Sequence, residues 1–288
     1  MKRPAHITHV NGVETSAIDI ADRGLAYGDG LFETMRVVKG DVPLLSLHLA
    51  RFLKGVDVLG LGDQTIMKQN FLYYLNTVLD EVKHNACFEA SLIKIIITRG
   101  NGGRGYLPPE NSLCHFIVQV FDMPVYPLSF SQEGIVLREC QYRLGYQPQL
   151  AGIKHLNRLD QVLASHELIS EPEGLLLDYE MNVIEGTKSN ILVFFKDEIV
   201  TPKLDLTGVQ GVLRQALIEA DPTLKLTITE RDVAFSELLE SDGVMMINSV
   251  FGSWPVHTLL CQDGKKIHYK KTKRCQYIQD WLSQTYAY

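Results

Sequence analysis

Met123-Pro124-Val125-Tyr126-Pro127 places two prolines within four residues, and this segment constrains the fold more than any other. Each proline fixes its own φ and pushes the residue before it out of the helical region, so neither a helix nor a central strand runs through. The segment reads as an extended connector that divides 288 residues into two stretches, each long enough to close its own core. The expected organisation is a smaller domain over 1–122, a connector over 123–130 and a larger domain over 131–288.

Hydrophobic spacing fills both halves with mixed elements. The first half predicts a strand over His6–Val10, an Asn11-Gly12 turn, an extended run over Leu31–Val38 and a Lys39-Gly40-Asp41 turn. Leu44, Leu47, Leu49, Phe52, Leu53 and Val56 then recur at helical spacing, as do Phe71, Leu72, Leu75, Val78, Leu79 and Val82. Ser91–Thr98 and Leu113–Phe121 are apolar and β-branched enough for buried strands. Beyond the connector come a strand over Gly134–Cys140, a helix carrying Leu156, Leu159, Val162, Leu163 and Ile169, and strand-like runs at 174–178, 182–185 and 191–195. A helix then starts near Gly211, and Val244–Asn248 reads as one more buried strand. The order predicts two α/β or α+β domains.

Composition removes several functions. With 45% hydrophobic and 22% charged residues, neither a disordered nor a collagenous chain fits. Lys and Arg number 28 against 34 Asp and Glu, so the net charge of -6 argues against a surface built on phosphate backbones. Cys87, Cys114, Cys140, Cys261 and Cys275 form no CxxC, so the expectation is buried thiols in a reducing compartment, with neither a disulfide framework nor a metal site. The first residues lack an apolar leader core, and no apolar run reaches membrane-spanning length. A cytoplasmic protein acting on a small molecule, without nucleic-acid or membrane partners, is expected.

Five segments carry groups able to do chemistry. Lys154 lies in an apolar stretch before a helix start, where desolvation would make its amine a better nucleophile toward a carbonyl. Glu185 sits at a strand end beside Gly186, with Ser189 and Asn190 following, a place where a fixed carboxylate could pair with a protonated ring nitrogen. The Gly208–Gly211 turn leads into a helix whose first amides, at Val212 and Leu213, form an anion cradle, with Arg51 and Ser249 as further anion partners. Four glycines among Thr98–Tyr106 let backbone approach a ligand closely, and Arg104 and Tyr106 would bind a carboxylate there. Tyr27-Gly28-Asp29-Gly30, followed by Phe32, Glu33 and Thr34, would line another wall. Taken singly, each also fits an ordinary turn, helix start or solvated side chain.

Together these pieces resemble, in family order from about Asn11 to Val256, the fold-type IV pyridoxal-phosphate enzymes, which include D-amino-acid and branched-chain aminotransferases and aminodeoxychorismate lyases. Arg99-Gly-Asn-Gly-Gly-Arg-Gly-Tyr106 and Ala151-Gly-Ile-Lys-His-Leu-Asn-Arg-Leu159 look most similar to the bacterial lyases of that family. Phe32 and Tyr106 stand where the D-amino-acid aminotransferase branch has tyrosine and histidine.

The resemblance implies a two-domain, D-amino-acid aminotransferase-like fold with pyridoxal 5'-phosphate between the domains, and a homodimer. It further implies that Lys154 bonds the cofactor as a Schiff base and acts as catalytic base, while Glu185 pairs with the pyridine nitrogen. Arg51, Ser249 and the Val212 and Leu213 amides would bind phosphate, with Ser189 and Asn190 beside the cofactor. Tyr27, Phe32, Thr34, Arg104 and Tyr106 would meet the substrate. The expected reaction is elimination of pyruvate from 4-amino-4-deoxychorismate to leave 4-aminobenzoate, with aminotransfer to D-amino or branched-chain substrates as the alternative.

Overall fold

The computed structural model describes residues 7–83, 90–110, 112–196, 198–220 and 228–288, so His6, Cys87 and Asn111 lie outside the described residues. It divides into two compact units, Met1–Pro124 with Ile153–Asn157, and Val125–Gly152 with Arg158–Tyr288.

In the first unit, Ile7–Val10 (β1), Val13–Glu14 (β2), Gly30–Val38 (β3), Ala90–Thr98 (β4) and His115–Asp122 (β5) form an antiparallel sheet of order β2-β1-β5-β4-β3. Arg23–Tyr27 (α1), Leu45–Leu59 (α2) and Gln64–Lys83 (α3) complete it. Alternation decides which face is covered: Leu31, Met35, Val37, Ile93, Ile95, Ile97, Phe116, Val118 and Val120 are all buried. Phe52 and Val56 of α2 and Phe71, Leu75 and Val78 of α3 share that core, with the Phe52 and Phe71 rings 4.8 Å apart. Each such side chain contributes roughly 1.5–3 kcal/mol on burial. The opposite face, half-buried, carries Phe32, Thr34, Arg36, Lys94 and Ile96.

Sequence order places Lys154 with the second half of the chain, but backbone pairing brings its segment to the first unit. Phe32 N–H donates to the Lys154 carbonyl at 2.9 Å and Leu156 N–H to the Gly30 carbonyl at 3.0 Å, adding a short edge to the start of β3.

The second unit holds Ile135–Leu144 (β6), Glu173–Asp178 (β7), Val183–Gly186 (β8), Asn190–Phe194 (β9), Ile199–Thr201 (β10), Ile228–Glu230 (β11), Gly243–Asn248 (β12), Gly252–Leu260 (β13) and Lys266–His268 (β14). The order is β11-β10-β9-β12-β13-β6-β7-β8, with β14 on β13; β10–β11, β13–β6 and β6–β7 run parallel. Its helices are Ser129–Gln132 (α4), Leu159–His166 (α5), Val212–Glu219 (α6), Phe235–Leu239 (α7) and Lys273–Tyr286 (α8). Leu175, Leu177, Ile191, Val193 and Met246 join one apolar cluster, whereas Leu176, Ile184, Cys140 and Ala164 join another. Burial on both faces explains why β7 reads as a continuous apolar run instead of an alternating one.

The helix expected around Leu156–Ile169 is shorter than its apolar pattern. Only Ala164 of α5 is buried; Leu159, Val162 and Leu163 are exposed, and Ile169 lies past the end. Small Ala164 is the residue that meets Cys140 and Leu176, so the large apolar positions face outward.

Candidate active site

Glu33 lies on the buried face of β3, where an alternating strand calls for an apolar side chain. An isolated carboxylate there would be prohibitively costly, and α2 supplies what offsets it. His48 Nδ1 lies 2.7 Å from Glu33 Oε2, Arg51 Nε donates to Oε1 at 2.8 Å, and Arg51 Nη2 donates to Oε2. His48 and Arg51 are three residues apart on one helical face, which lets both reach one carboxylate. Burial pushes the Glu33 carboxyl up, but the Arg51 charge and the bonds from His48 and Arg51 outweigh it and hold the group down at about 2. Burial, helped by the charges of Arg51 and Lys154, keeps His48 below its ordinary value despite Glu33. Arg51, expected to bind phosphate, is thus aimed by a buried carboxylate.

Lys154 directs its ammonium at the Phe32 ring, 4.6 Å from the centroid, a cation–π contact that narrows where the amine can go. A second amine, on Lys94, stands 5.1 Å from the same ring. Lys94 pairs in register with Thr34, and burial lowers its amine from the ordinary value. Lys94 was not among the expected site residues; its signal was a single charge inside the apolar run SLIKIIIT. Phe32, Thr34, Lys94 and Lys154 therefore form one group on the sheet's open face. Tyr27 ends α1 with its ring edge-on to Tyr106 at 5.6 Å, so the expected substrate-side aromatics Tyr27 and Tyr106 meet, and Arg104 is exposed beside them on the glycine-rich loop.

The second unit gathers the remaining residues around one turn. Val209 N–H donates to Glu185 Oε2 at 2.9 Å, and the Val209 carbonyl accepts from Asn190 Nδ2 at 2.8 Å, so β8 and β9 clamp the turn that leads into α6. Glu185 is 4% exposed, a carboxylate held in one place by a rigid backbone donor. Val212 and Leu213 open α6 with buried side chains, and no side chain caps that end, so only their amides are available to an anion. Ser189 and Asn190, expected beside the cofactor, spend these groups inside the unit. The Ser189 hydroxyl donates to Glu173 at 2.8 Å, and fully buried Glu173 also accepts from the Thr187 and Gly174 amides and the Thr187 hydroxyl. Ser249, half-buried in the turn after β12, accepts at its carbonyl from the Tyr288 hydroxyl at 2.9 Å.

Gly211 is required by close approach, since a Cβ there would collide with Asn190 Oδ1. Gly211→Ala is expected to cost roughly 1–3 kcal/mol through overpacking, read as a lowered melting temperature. An unchanged melting temperature would mean that Asn190 does not clamp the turn.

The chain matches the family Amino-transferase class IV over residues 30–259. It is 33% identical over 259 residues to the aminodeoxychorismate lyase of Vibrio harveyi, covering 89% of this chain and 92% of that one. The crystal structure of 4-amino-4-deoxychorismate lyase from Pseudomonas aeruginosa superposes with a TM-score of 0.88 at 37% identity, covering 98% of this chain and 100% of that chain. The D-alanine aminotransferase of Bacillus licheniformis is 26% identical over 258 residues, 87% of this chain and 85% of its own. With the lysine, the fixed carboxylate and the uncapped helix start all lying inside the matched span, this chain belongs to the class IV aminotransferase family.

Proposed function

We propose that the protein is a pyridoxal-phosphate-dependent lyase converting 4-amino-4-deoxychorismate to 4-aminobenzoate and pyruvate. The observation that carries this reading is the likeness to the Pseudomonas aeruginosa lyase along nearly the whole chain. Each unit carries groups whose chemistry suits the cofactor: the first an amine for its aldehyde at Lys154 and a cation for its phosphate at Arg51, the second a buried fixed carboxylate for its ring nitrogen at Glu185 and, for its phosphate, the uncapped start of α6 and Ser249. When bound, pyridoxal phosphate supplies an electron sink for the carbon bearing the substrate's amine.

Lys154 Nζ would hold the cofactor at rest and, once the substrate's amine has displaced it, would be the free base that removes the proton from that ring carbon. The same Nζ delivers a proton to the methylene carbon of the enolpyruvyl group as the bond from the ring to oxygen breaks, which leaves pyruvate and an aromatic ring. Phe32 restricts the amine to that task through its ring face. Glu185, tied to Val209, would pair with the ring nitrogen and favour its protonated form. The substrate carries two carboxylates, and Lys94 beside Thr34 and Arg104 beside Tyr106 are the cations that receive them.

The working form is a homodimer. Ile20, Leu25, Leu107 and Leu113 are large, exposed apolar residues on adjoining segments of the first unit, and a second copy would cover them. Free Cys114, Cys140, Cys261 and Cys275 support a reducing, cytoplasmic setting.

Cofactor-loaded protein given 4-amino-4-deoxychorismate in one reaction, and D-alanine with 2-oxoglutarate in another, tests the assignment. The lyase substrate is expected to be consumed and D-alanine spared; the reverse pattern replaces the lyase with an aminotransferase.

A further inference from the structure

The glycine-rich loop that bears Arg104 and Tyr106 is held by a residue outside it. Along its first half, the 19–23 segment zips to it: Arg23 N–H donates to the Gly100 carbonyl at 2.9 Å, Gly102 N–H to the Ala21 carbonyl at 3.2 Å, and Asn101 Nδ2 to Asp19 at 2.9 Å. On the far side the Arg23 side chain takes over. Arg23 Nη1 donates to the Gly105 carbonyl at 3.0 Å and Nη2 to the Tyr106 carbonyl at 2.7 Å, while Nε donates to Asp29 at 2.9 Å. Every nitrogen of the guanidinium is thereby engaged, and the side chain is only 4% exposed.

The surrounding groups fix that fork. Asp29 also accepts from Arg99 Nε at 2.7 Å, and Arg99 in turn holds the Leu59 and Gly60 carbonyls at the end of α2. Burial pushes the Asp29 carboxyl up, but the bonds from Arg99 and Arg23 more than offset it and keep the group below its ordinary value. The Tyr27 ring lies 4.8 Å from the Arg23 guanidinium carbon. A Cβ at Gly102 would collide with the Arg23 stem, so that glycine serves the arginine's passage, whereas a Cβ at Gly103 or Gly105 would meet nothing. Gly103 and Arg104 thus form the apex between two anchored sides.

We infer that Arg23 is a positioning residue for substrate recognition: by gripping the Gly105 and Tyr106 carbonyls it sets where Arg104 and the Tyr106 ring present themselves. This rests on the reading that the loop receives a substrate carboxylate. Arginine is needed because two carbonyls and one carboxylate must be met in a fixed planar arrangement, which an ammonium cannot reproduce.

The test compares holoenzyme with Arg23→Gln and Arg23→Lys by the rate of tryptic cleavage after Arg104, by KM and kcat for 4-amino-4-deoxychorismate, and by affinity for pyridoxal phosphate. Arg23→Gln is expected to speed cleavage and raise KM, each roughly tenfold, with kcat and cofactor affinity held. Arg23→Lys, which keeps the charge beside Asp29, should fall between. Unchanged cleavage would overturn the anchoring, and faster cleavage with unchanged KM would overturn its role in recognition. Cleavage needs no substrate, so an enzyme that fails to turn over the lyase substrate still reports on the anchor; KM is then read with the amine it does use.

Discussion

Lys154→Ala is expected to lower turnover by on the order of 10⁴-fold or more while leaving the fold intact. The size follows from the two roles proposed for Lys154, covalent attachment of the cofactor and the base that moves the proton, both lost in one substitution. The fold survives because the segment is held through its backbone: the Lys154 carbonyl accepts from Phe32 N–H and Leu156 N–H donates to Gly30 whatever side chain stands at 154. What does change locally is the charge facing Phe32 and His48, both of which register the Lys154 ammonium. Stopped-flow product formation and circular dichroism on the variant check both halves. Reduction with borohydride should fix the cofactor to Lys154 in the parent protein, located by peptide mass, and fix none in the variant.

Glu33→Gln is expected to destabilise the protein by about 3 to 5 kcal/mol at pH 7, because Arg51 and His48 would then share a dry site with no anion. For a chain of this size that is a fall in melting temperature on the order of 10 °C. The pH dependence carries the signature. The Glu33 carboxyl is held at about 2 in the folded chain against an ordinary 4.5, a depressed value, so its stabilisation is fully present above pH 4.5 and is lost as pH falls through the window down to about 2. That difference is worth about 3 kcal/mol. The gap between parent and variant should therefore be constant above pH 6.5, where His48 is neutral in both, and the Glu33 contribution to it should vanish as pH falls from 4.5 toward 2. A gap that stays the same through that window would mean that the ion cluster does not stabilise the first unit. His48 also has a depressed value, so its contribution is present above its ordinary 6.5 and declines as pH falls below it; Glu33 is what holds that value up, so the acid sensitivity from His48 is larger in the variant.

The long elements were legible because their periodicity is strong. β3, β4 and β5 alternate cleanly, and α2 and α3 present apolar stripes of several turns. The ion cluster was legible in principle from violations of the same patterns: Glu33 occupies an apolar position of β3, and His48 stands on the buried stripe of α2 with Phe52 and Val56. Other features depend on partners remote in sequence. Nothing local to Lys154 says that its carbonyl pairs with Phe32, and nothing local to Ser189 says that its hydroxyl faces Glu173, sixteen positions earlier.

Short or polar elements also escaped. α1 spans five residues, too few to show a period, so nothing local marks Arg23, which lies four residues before the Tyr27-Gly28-Asp29-Gly30 turn. α8 buries only Cys275, Ile278 and Leu282, although Thr272, whose side chain accepts from Cys275 N–H, was a readable start signal. β13 begins at Gly252 and contains Pro255, both of which argue against a strand, yet its apolar residues place it in the middle of the sheet.

The most direct test of the proposed chemistry follows pyruvate and 4-aminobenzoate together from cofactor-loaded protein and 4-amino-4-deoxychorismate, in the parent and in Lys154→Ala. The account predicts equal amounts of the two products at every time point in the parent and neither from the variant. Pyruvate without 4-aminobenzoate, or equal release that survives loss of Lys154, would contradict it.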